Sequence, residues 1–561
     1  MLSRQDAIEA VTEEEFDVVV IGGGVTGAGV AMDAASRGYT VALLERRDWA
    51  AGTSSRSSKM VHGGLRYLQN FDLGLVREAL LERQLMVQLA PHLVYPTPFL
   101  VPTLGEEKRD RRIGIGLNMY DVMASVRASG MTRRERAARA ESADYWAPDR
   151  HRTIDGAEAI DLVPALAPRD PSHAYLFYDC QTDDVRLVLT ILGEAERLGA
   201  VTLNGVEVTD LLEENGRIAG ITGIEAESGE AIAVRAANVV NATGVWADRI
   251  RPDEIHDEEE IPRIEPSRGT HLTVSHDDLE IGRAACIVPA GGGRAIFALP
   301  WYGRTLLGTT DRDYEGDLSH VEPSGDDIDY LLGATNDFFG TSIGRDRITG
   351  AYAGVRPLIA TGDEHKSVDI SRKAELYETS SGMLTITGGK LTTWRRMAKQ
   401  VVDRMVEREG REAPCRTADL PLGMPAEEKD FADLGGLDVK APDETRANLG
   451  FRYGHFASKV LRLATEDETL ARPIVDGQPD LLAEALVAAR FEQARSVADV
   501  LLRRTRLGIL AAPQLRTAES VMPVARILGK ELGWGKQRVR AEANAWLDEA
   551  RAEGIDPAAR H

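Results

Sequence analysis

Residues 16–38, FDVVVIGGGVTGAGVAMDAASRG, leave few options for how the chain can fold around them. FDVVVI is a short apolar run rich in β-branched side chains, of the kind buried on both faces of a parallel sheet. It passes directly into a glycine turn and then into a helix of small residues. Gly38 suits the end of that helix, where a left-handed backbone costs glycine little. YTVALLE, residues 39–45, then reads as a second buried strand that ends on Glu45. The predicted unit is strand, helix and parallel strand.

Within it Gly22, Gly24 and Gly27 satisfy G-x-G-x-x-G, with Glu45 about 20 residues further on. The first glycine permits a tight turn, the second lets backbone approach a pyrophosphate at the helix N-terminus, and the third allows close helix–strand packing. Glu45 stands where an acidic side chain meets an adenosine ribose. The pattern predicts a bound dinucleotide and is shared by flavin and nicotinamide enzymes. Two later segments repeat the form. AANVVNATGVWAD, 236–248, is a buried strand entering a turn at Ala242 and Gly244. GMLTITGGKLTTWRRMAKQVVDRMV, 382–406, is a strand, a turn at Gly389, Lys390 and Leu391, and a helix whose N-terminus can face an anion. Three such turns separated by long insertions imply one discontinuous cofactor domain.

The 561 residues are enough for two or three folding units. A helix is expected from an N-cap at Asp72 to about His92, followed by the extended, proline-punctuated PHLVYPTPFLVPTL. GRAIFALPWYG and TLLGTTD, within 293–311, suggest an antiparallel sheet covering the cofactor. Beyond about residue 413 the patterns become helical. The expected fold is α/β plus α. A discontinuous Rossmann-type domain takes 1–100, 180–262 and 345–412, a substrate or cap domain takes 101–179 and 263–344, and a separate helical domain takes 413–561.

The formal charge of −22 and the absence of a basic block argue against nucleic acid as a partner. Arginine far outnumbers lysine, and acidic runs such as DEEE at 257–260 give a halophile-like surface. The three cysteines, Cys180, Cys286 and Cys415, are too far apart in sequence for a disulfide framework or a metal site, and none is expected. The N-terminal residues lack a signal-peptide pattern, and no apolar run approaches the roughly 18 residues of a membrane span. A cytoplasmic location is the expectation.

One stretch fits neither helical nor strand periodicity: GTSSRSSKMVHGGLRYLQNF, 52–71. Together with IGGGVTGAGVAMDAASRG, NATGVWAD, GVRPL and TITGGKLTTWR, it resembles the FAD-dependent glycerol-3-phosphate dehydrogenases, within the D-amino-acid-oxidase-like flavoproteins. The resemblance extends over nearly the whole chain, including RRTRL at 503–507. It implies FAD as cofactor and oxidation of sn-glycerol 3-phosphate to dihydroxyacetone phosphate, with hydride passing to the flavin. It also implies that 52–71 runs beneath the flavin. Ser54, Ser55 and Ser58 would then supply hydroxyls to the cofactor. Gly63 and Gly64 would let backbone lie against the ring, and His62, Arg66 and Tyr67 would face the substrate.

The reaction needs a cationic cradle for a phosphate dianion and a proton acceptor. Arg356, Arg372 and Lys390 are the cradle candidates, with Thr392 as a neutral donor; guanidinium forks suit phosphate oxygens, whereas lysine acts as a point charge. Arginine stays protonated and cannot be the base, which leaves His271 and His62. The resemblance favours His271, with Arg66 and Arg356 stabilising the developing alkoxide.

Some large members of this family carry a cysteine-rich C-terminal module, but only Cys415 occurs beyond residue 413 here. Electrons are therefore expected to leave to a quinone or a partner subunit, with peripheral contact at the inner face of the cell membrane and assembly as a homo-oligomer or complex subunit. VLLRRTRLGIL, 500–510, is basic and apolar but short, and reads as a core-facing helix with a solvated arginine face. Two other readings stay open. One is a flavin oxidase of an amino acid or secondary amine; the other is a non-catalytic flavin-binding subunit.

Overall fold

The computed structural model describes residues 3–64, 72–105, 111–125, 149–253, 258–360, 374–427, 430–431 and 442–560. Arg66 and Tyr67, and Arg372, lie outside the described residues.

Strand Phe16–Ile21 is at the centre of an eight-stranded sheet, with Val41–Glu45 on one side and Ala231–Asn241 on the other, both parallel to it. Val201–Asn204 extends the sheet beyond Val41–Glu45, and Leu384–Gly388 extends it beyond Ala231–Asn241. Helix Val25–Ser36 connects the first two strands and is buried along almost its whole length. Its small residues explain how: a Cβ on Gly29 would lie 2.6 Å from the Trp394 ring, so only glycine admits helix Trp394–Glu409 this close. An antiparallel hairpin, Val206–Glu214 and Arg217–Glu225, joins the sheet through Ala231–Asn241.

A second, ten-stranded mixed sheet includes Tyr95–Leu104, Pro171–Gln181, Ile264–Ser275, Ala295–Trp301, Arg304–Gly308 and Ile348–Ile359. Its membership moves the expected domain boundaries. Ile348–Ile359 pairs with Ile264–Ser275 along nearly its full length, so it belongs to the second sheet and not to the cofactor domain. Met60–Val61 and Tyr95–Leu104 pair with Pro171–Gln181, so the second sheet also takes strands from within 1–100. An apolar run looks the same in either sheet, and only its pairing partner distinguishes them. Helix Leu73–Leu89 begins as expected, with Asp72 accepting from the Leu75 N–H at 3.2 Å, a cap that stabilises by about 1 kcal/mol.

The C-terminal segment contributes helices Asp443–Tyr453, Ala457–Glu466, Leu482–Phe491, Ala518–Glu531 and Lys536–Ala552. This helical domain packs directly on the second sheet. Leu501, Leu507 and Trp546 share one buried core with Phe99, Tyr175 and Trp301 of the second sheet. Between the helices runs a π-helix, Asp499–Arg504. The solvated arginine face expected here is absent: Arg503, Arg504 and Arg506 are 4%, 0% and 1% exposed. Arg503 and Arg504 both reach Asp48, with Arg504 forming two bonds of 2.8 Å to its carboxylate. These buried cations are paired with acids far away in sequence, which is why local periodicity misplaced them. Among the described residues no helix is long and apolar enough to cross a membrane.

Candidate active site

A cleft of about 460 Å³ opens along the ends of the parallel strands. Gly22, Gly24, Glu45, Ser54, Ala242, Gly244, Gly389, Lys390 and Leu391 all line it. The turn beneath is shaped by two close approaches. Gly22 adopts φ +111°, and a Cβ on Gly27 would lie 1.9 Å from the Gly22 carbonyl oxygen, so any larger residue would force the helix off the turn. At the opposite wall Thr387 Oγ1 donates to the Gly244 carbonyl at 3.0 Å, tying two of the three turns together.

Some expected contacts are used internally. Glu45 Oε2 accepts from the Gly23 N–H at 2.7 Å, and Oε1 from the Arg47 N–H at 2.8 Å. Burial pushes this carboxyl up, against the pull of the Arg47 and Gly23 bonds. A carboxylate oxygen has two lone pairs, so Glu45 keeps acceptor capacity toward the cleft. Ser54 Oγ accepts from the Val25 N–H at 2.9 Å, capping a helix whose own N-cap, Gly24, has no side chain to do so.

Other residues expected at the cofactor face elsewhere. Ser55 is buried, and its carbonyl accepts from Lys59 Nζ and Arg506. A Cβ on Gly63 would meet Leu80 at 2.4 Å and the Tyr120 hydroxyl at 2.5 Å, so protein packing alone requires this glycine. Gly64, at φ +79°, does need glycine's freedom. Thr392, expected as a substrate donor, uses its hydroxyl on the backbone of His62, accepting from the N–H at 3.1 Å and donating to the carbonyl at 3.2 Å.

Several lining residues escaped sequence reasoning. Arg46 lies 5.1 Å from the Trp246 ring centroid at the same end of the cleft as Glu45, and hairpin residues 206–211 form the neighbouring wall. Arg46 could have been found from its position directly after Glu45. The hairpin carries no motif.

Beside the cleft, in the second sheet, alternation brings the chemistry together. Across strands Ile264–Ser275 and Ile348–Ile359 the partners are Ser267 with Arg356, Gly269 with Gly354 and His271 with Tyr352. Residues two apart share a face, so Arg356 and His271 lie on one side. Arg356 crosses over Gly269, where a Cβ would sit 2.7 Å from its guanidinium, and it bonds Asp311 at 3.2 Å. The His271 ring stacks on Tyr352 with centroids 4.8 Å apart and planes 10° apart. Its Nε2 is 2.8 Å from Ser58 Oγ, and its Nδ1 is buried without a hydrogen-bond partner. Ser58 thus serves the histidine. Burial, and then the nearby Lys59 and Arg356 cations, hold His271 well below the ordinary histidine range, so the ring is neutral.

Residues 17–395 match the family described as FAD dependent oxidoreductase, and residues 384–539 match the C-terminal domain of alpha-glycerophosphate oxidase. Glycerol-3-phosphate dehydrogenase 2 of Mycobacterium tuberculosis is 37% identical, covering 99% of this chain and 91% of that protein. The chain belongs to the FAD-dependent glycerol-3-phosphate dehydrogenases. The mitochondrial glycerol-3-phosphate dehydrogenase of Arabidopsis thaliana is 34% identical, with 95% of this chain and 86% of the relative covered. The X-ray structure of the glycerol-3-phosphate dehydrogenase from Bacillus halodurans complexed with FAD superposes with a TM-score of 0.76 at 27% identity, covering 99% of both chains. This family's cofactor fits the cleft. Gly22 and Gly27 let the turn and helix pack without a Cβ between them, the N-terminus of that helix at Gly24–Thr26 lines the cleft, and so do Glu45 and Lys390.

Proposed function

We propose that this chain oxidises sn-glycerol 3-phosphate at its secondary carbinol to dihydroxyacetone phosphate, with His271 as the proton acceptor. The observation that carries the assignment is the His271 ring, which is neutral, 2% exposed and fixed by Ser58 and Tyr352 beside the Arg356 guanidinium. FAD held by Gly22, Gly24, Gly27, Glu45, Ser54 and the Gly389–Leu391 turn supplies a two-electron acceptor when bound. His271 takes the carbinol proton, and the Arg356 cation stabilises negative charge building on that oxygen. Lys390 and Arg372 are assigned to the phosphate dianion, for which cations are the natural partners, and Arg66 to the developing alkoxide beside Arg356, with Tyr67 facing the substrate. The second sheet covers this region and keeps water from the reacting carbon.

We assign the onward acceptor to a quinone or a partner subunit at the inner face of the cell membrane. The three cysteines are free, two of them buried, and do not form a thiolate cluster that could relay electrons.

The test is anaerobic bleaching of the flavin band by sn-glycerol 3-phosphate, with glycerol and a D-amino acid as controls. Bleaching by the phosphate ester alone, lost on the order of 10²–10⁴-fold in His271→Ala, is the expected result. Bleaching by the amino acid instead would assign the site to an amine substrate. A yellow protein that nothing bleaches would make it a non-catalytic subunit.

A further inference from the structure

Ser58 meets His271, yet the loop that carries it is short of internal support. Thr53–Ser55 is a single 3-10 turn, and Lys59 sits at φ +58°, a conformation that side chains other than glycine rarely adopt. A buried carboxylate holds the loop instead. Asp184, at the start of helix Asp184–Arg197, is 0% exposed. On one side of Ser58 it accepts from the Ser57 N–H at 3.1 Å and Ser57 Oγ at 2.7 Å. On the other side it accepts from Lys59 Nζ, at 2.9 and 2.8 Å to its two oxygens.

Arg506 completes the clamp from the C-terminal segment. One guanidinium nitrogen donates both to Asp184 Oδ1 at 2.9 Å and to the Ser55 carbonyl at 3.0 Å, the same carbonyl that receives Lys59 Nζ at 2.6 Å. Its other terminal nitrogen is fixed on the Leu502 carbonyl at 2.9 Å, and its backbone, at φ +66°, turns sharply after the π-helix. Two cations, Lys59 and Arg506, thus face two acids, Asp183 and Asp184, in a site closed to water. A buried pair of this kind adds little net stability compared with apolar packing, so its geometry is the more informative property.

We propose that Arg506 is a positioning residue for the proton acceptor: through Asp184 and the Ser55 carbonyl it fixes the 53–59 loop so that Ser58 Oγ stays on His271 Nε2. The inference rests on His271 being the base. Arg506 touches neither His271 nor the cofactor cleft and acts on both only through the loop, so FAD content separates an effect on Ser58 from one on the cleft residues Ser54 and Ser57.

The experiment measures anaerobic flavin reduction by sn-glycerol 3-phosphate in the full chain, with FAD content determined for each variant. Arg506→Lys keeps the charge, but its single nitrogen cannot stay anchored on the Leu502 carbonyl while it reaches Asp184 and the Ser55 carbonyl. Reduction is expected to slow on the order of 10²-fold in Arg506→Lys and in Ser58→Ala, with FAD content unchanged. The double variant should be no slower than the slower single, because both act through one contact. A second readout, the ¹⁵N-histidine spectrum of the oxidised FAD-loaded protein, should show the His271 ring signals shifted the same way in Arg506→Lys as in Ser58→Ala. Fold-changes that multiply in the double variant, with His271 signals unmoved in Arg506→Lys, overturn the proposal. If Arg506→Lys does not fold, Ser57→Ala removes one Asp184 anchor with all charges retained. It should show the same pattern at smaller amplitude, and multiplying fold-changes there are equally fatal. Wild-type reduction in His271→Ala would instead remove the base assignment.

Discussion

His271 lies between two cross-strand partners of opposite size, and the smaller one makes a sharp test. On one side it pairs with Tyr352, whose ring it stacks on; on the other it pairs with Gly308. A Cβ on Gly308 would lie 2.2 Å from His271 Cδ2 and 2.9 Å from Nε2. Carbon atoms in contact rest about 3.5–4.0 Å apart, so in Gly308→Ala the ring must retreat by more than about 1 Å. Tyr352 blocks retreat toward the neighbouring strand. The 2.8 Å contact between Nε2 and Ser58 would then stretch beyond hydrogen-bonding range. A misplacement of about 1 Å in a reacting group costs on the order of 10²-fold in rate, or about 2.7 kcal/mol. The assay is stopped-flow flavin reduction by sn-glycerol 3-phosphate. Gly333→Ala serves as control, since a Cβ there meets nothing within 4 Å. The reasoning is refuted if Gly308→Ala binds FAD normally and reduces it within about twofold of wild type.

Other outcomes follow from the same geometry. Because His271 is held well below 6.5, the reduction rate should stay level as pH falls through 6.5, and a titration midpoint there would contradict the neutral, buried base. Stability should behave differently: the unfolded chain gains a proton on His271 and on His92, which burial lowers to about 4, while the native state does not. These two histidines therefore contribute a loss of folding free energy as pH drops below about 6.5, by up to about 1.4 kcal/mol per pH unit each, opposed by Glu196, whose carboxyl burial pushes up to about 7; urea melts of His92→Ala against wild type isolate the His92 part. Gly27→Ala, with its Cβ 1.9 Å from the Gly22 oxygen, should purify without FAD, checked by the ratio of flavin to protein absorbance. Asp48→Asn leaves Arg503 and Arg504 buried and under-compensated, at a cost of about 3–5 kcal/mol, visible as a lower thermal midpoint.

Legibility in the sequence tracked how locally each feature is caused. The first strand, turn and helix could be read because FDVVVI, Gly22 and Gly27 act within a dozen residues of each other, and the turns at Ala242 and Gly389 followed the same local rule. Arg503 and Arg506 were misread as solvated because their partners, Asp48 and Asp184, lie 455 and 322 residues away. The packing need for Gly63 could not be read because its neighbour in space, Tyr120, is invisible from GGL alone. His271 was reached through family resemblance; its low proton affinity comes first from burial and then from Lys59 and Arg356, and all three depend on tertiary packing.

The pairing of Asp48 with Arg503 and Arg504 also sets a timetable for making the protein. At roughly 5–20 residues per second, a ribosome needs about 20–90 s to travel the 455 residues from Asp48 to Arg503. During that interval the nascent cofactor half holds acids whose counter-charges do not yet exist. In the finished fold Asp48 faces both arginines in a buried site, so a chain that stops short of Arg503 keeps this acid in the cofactor half without either counter-charge.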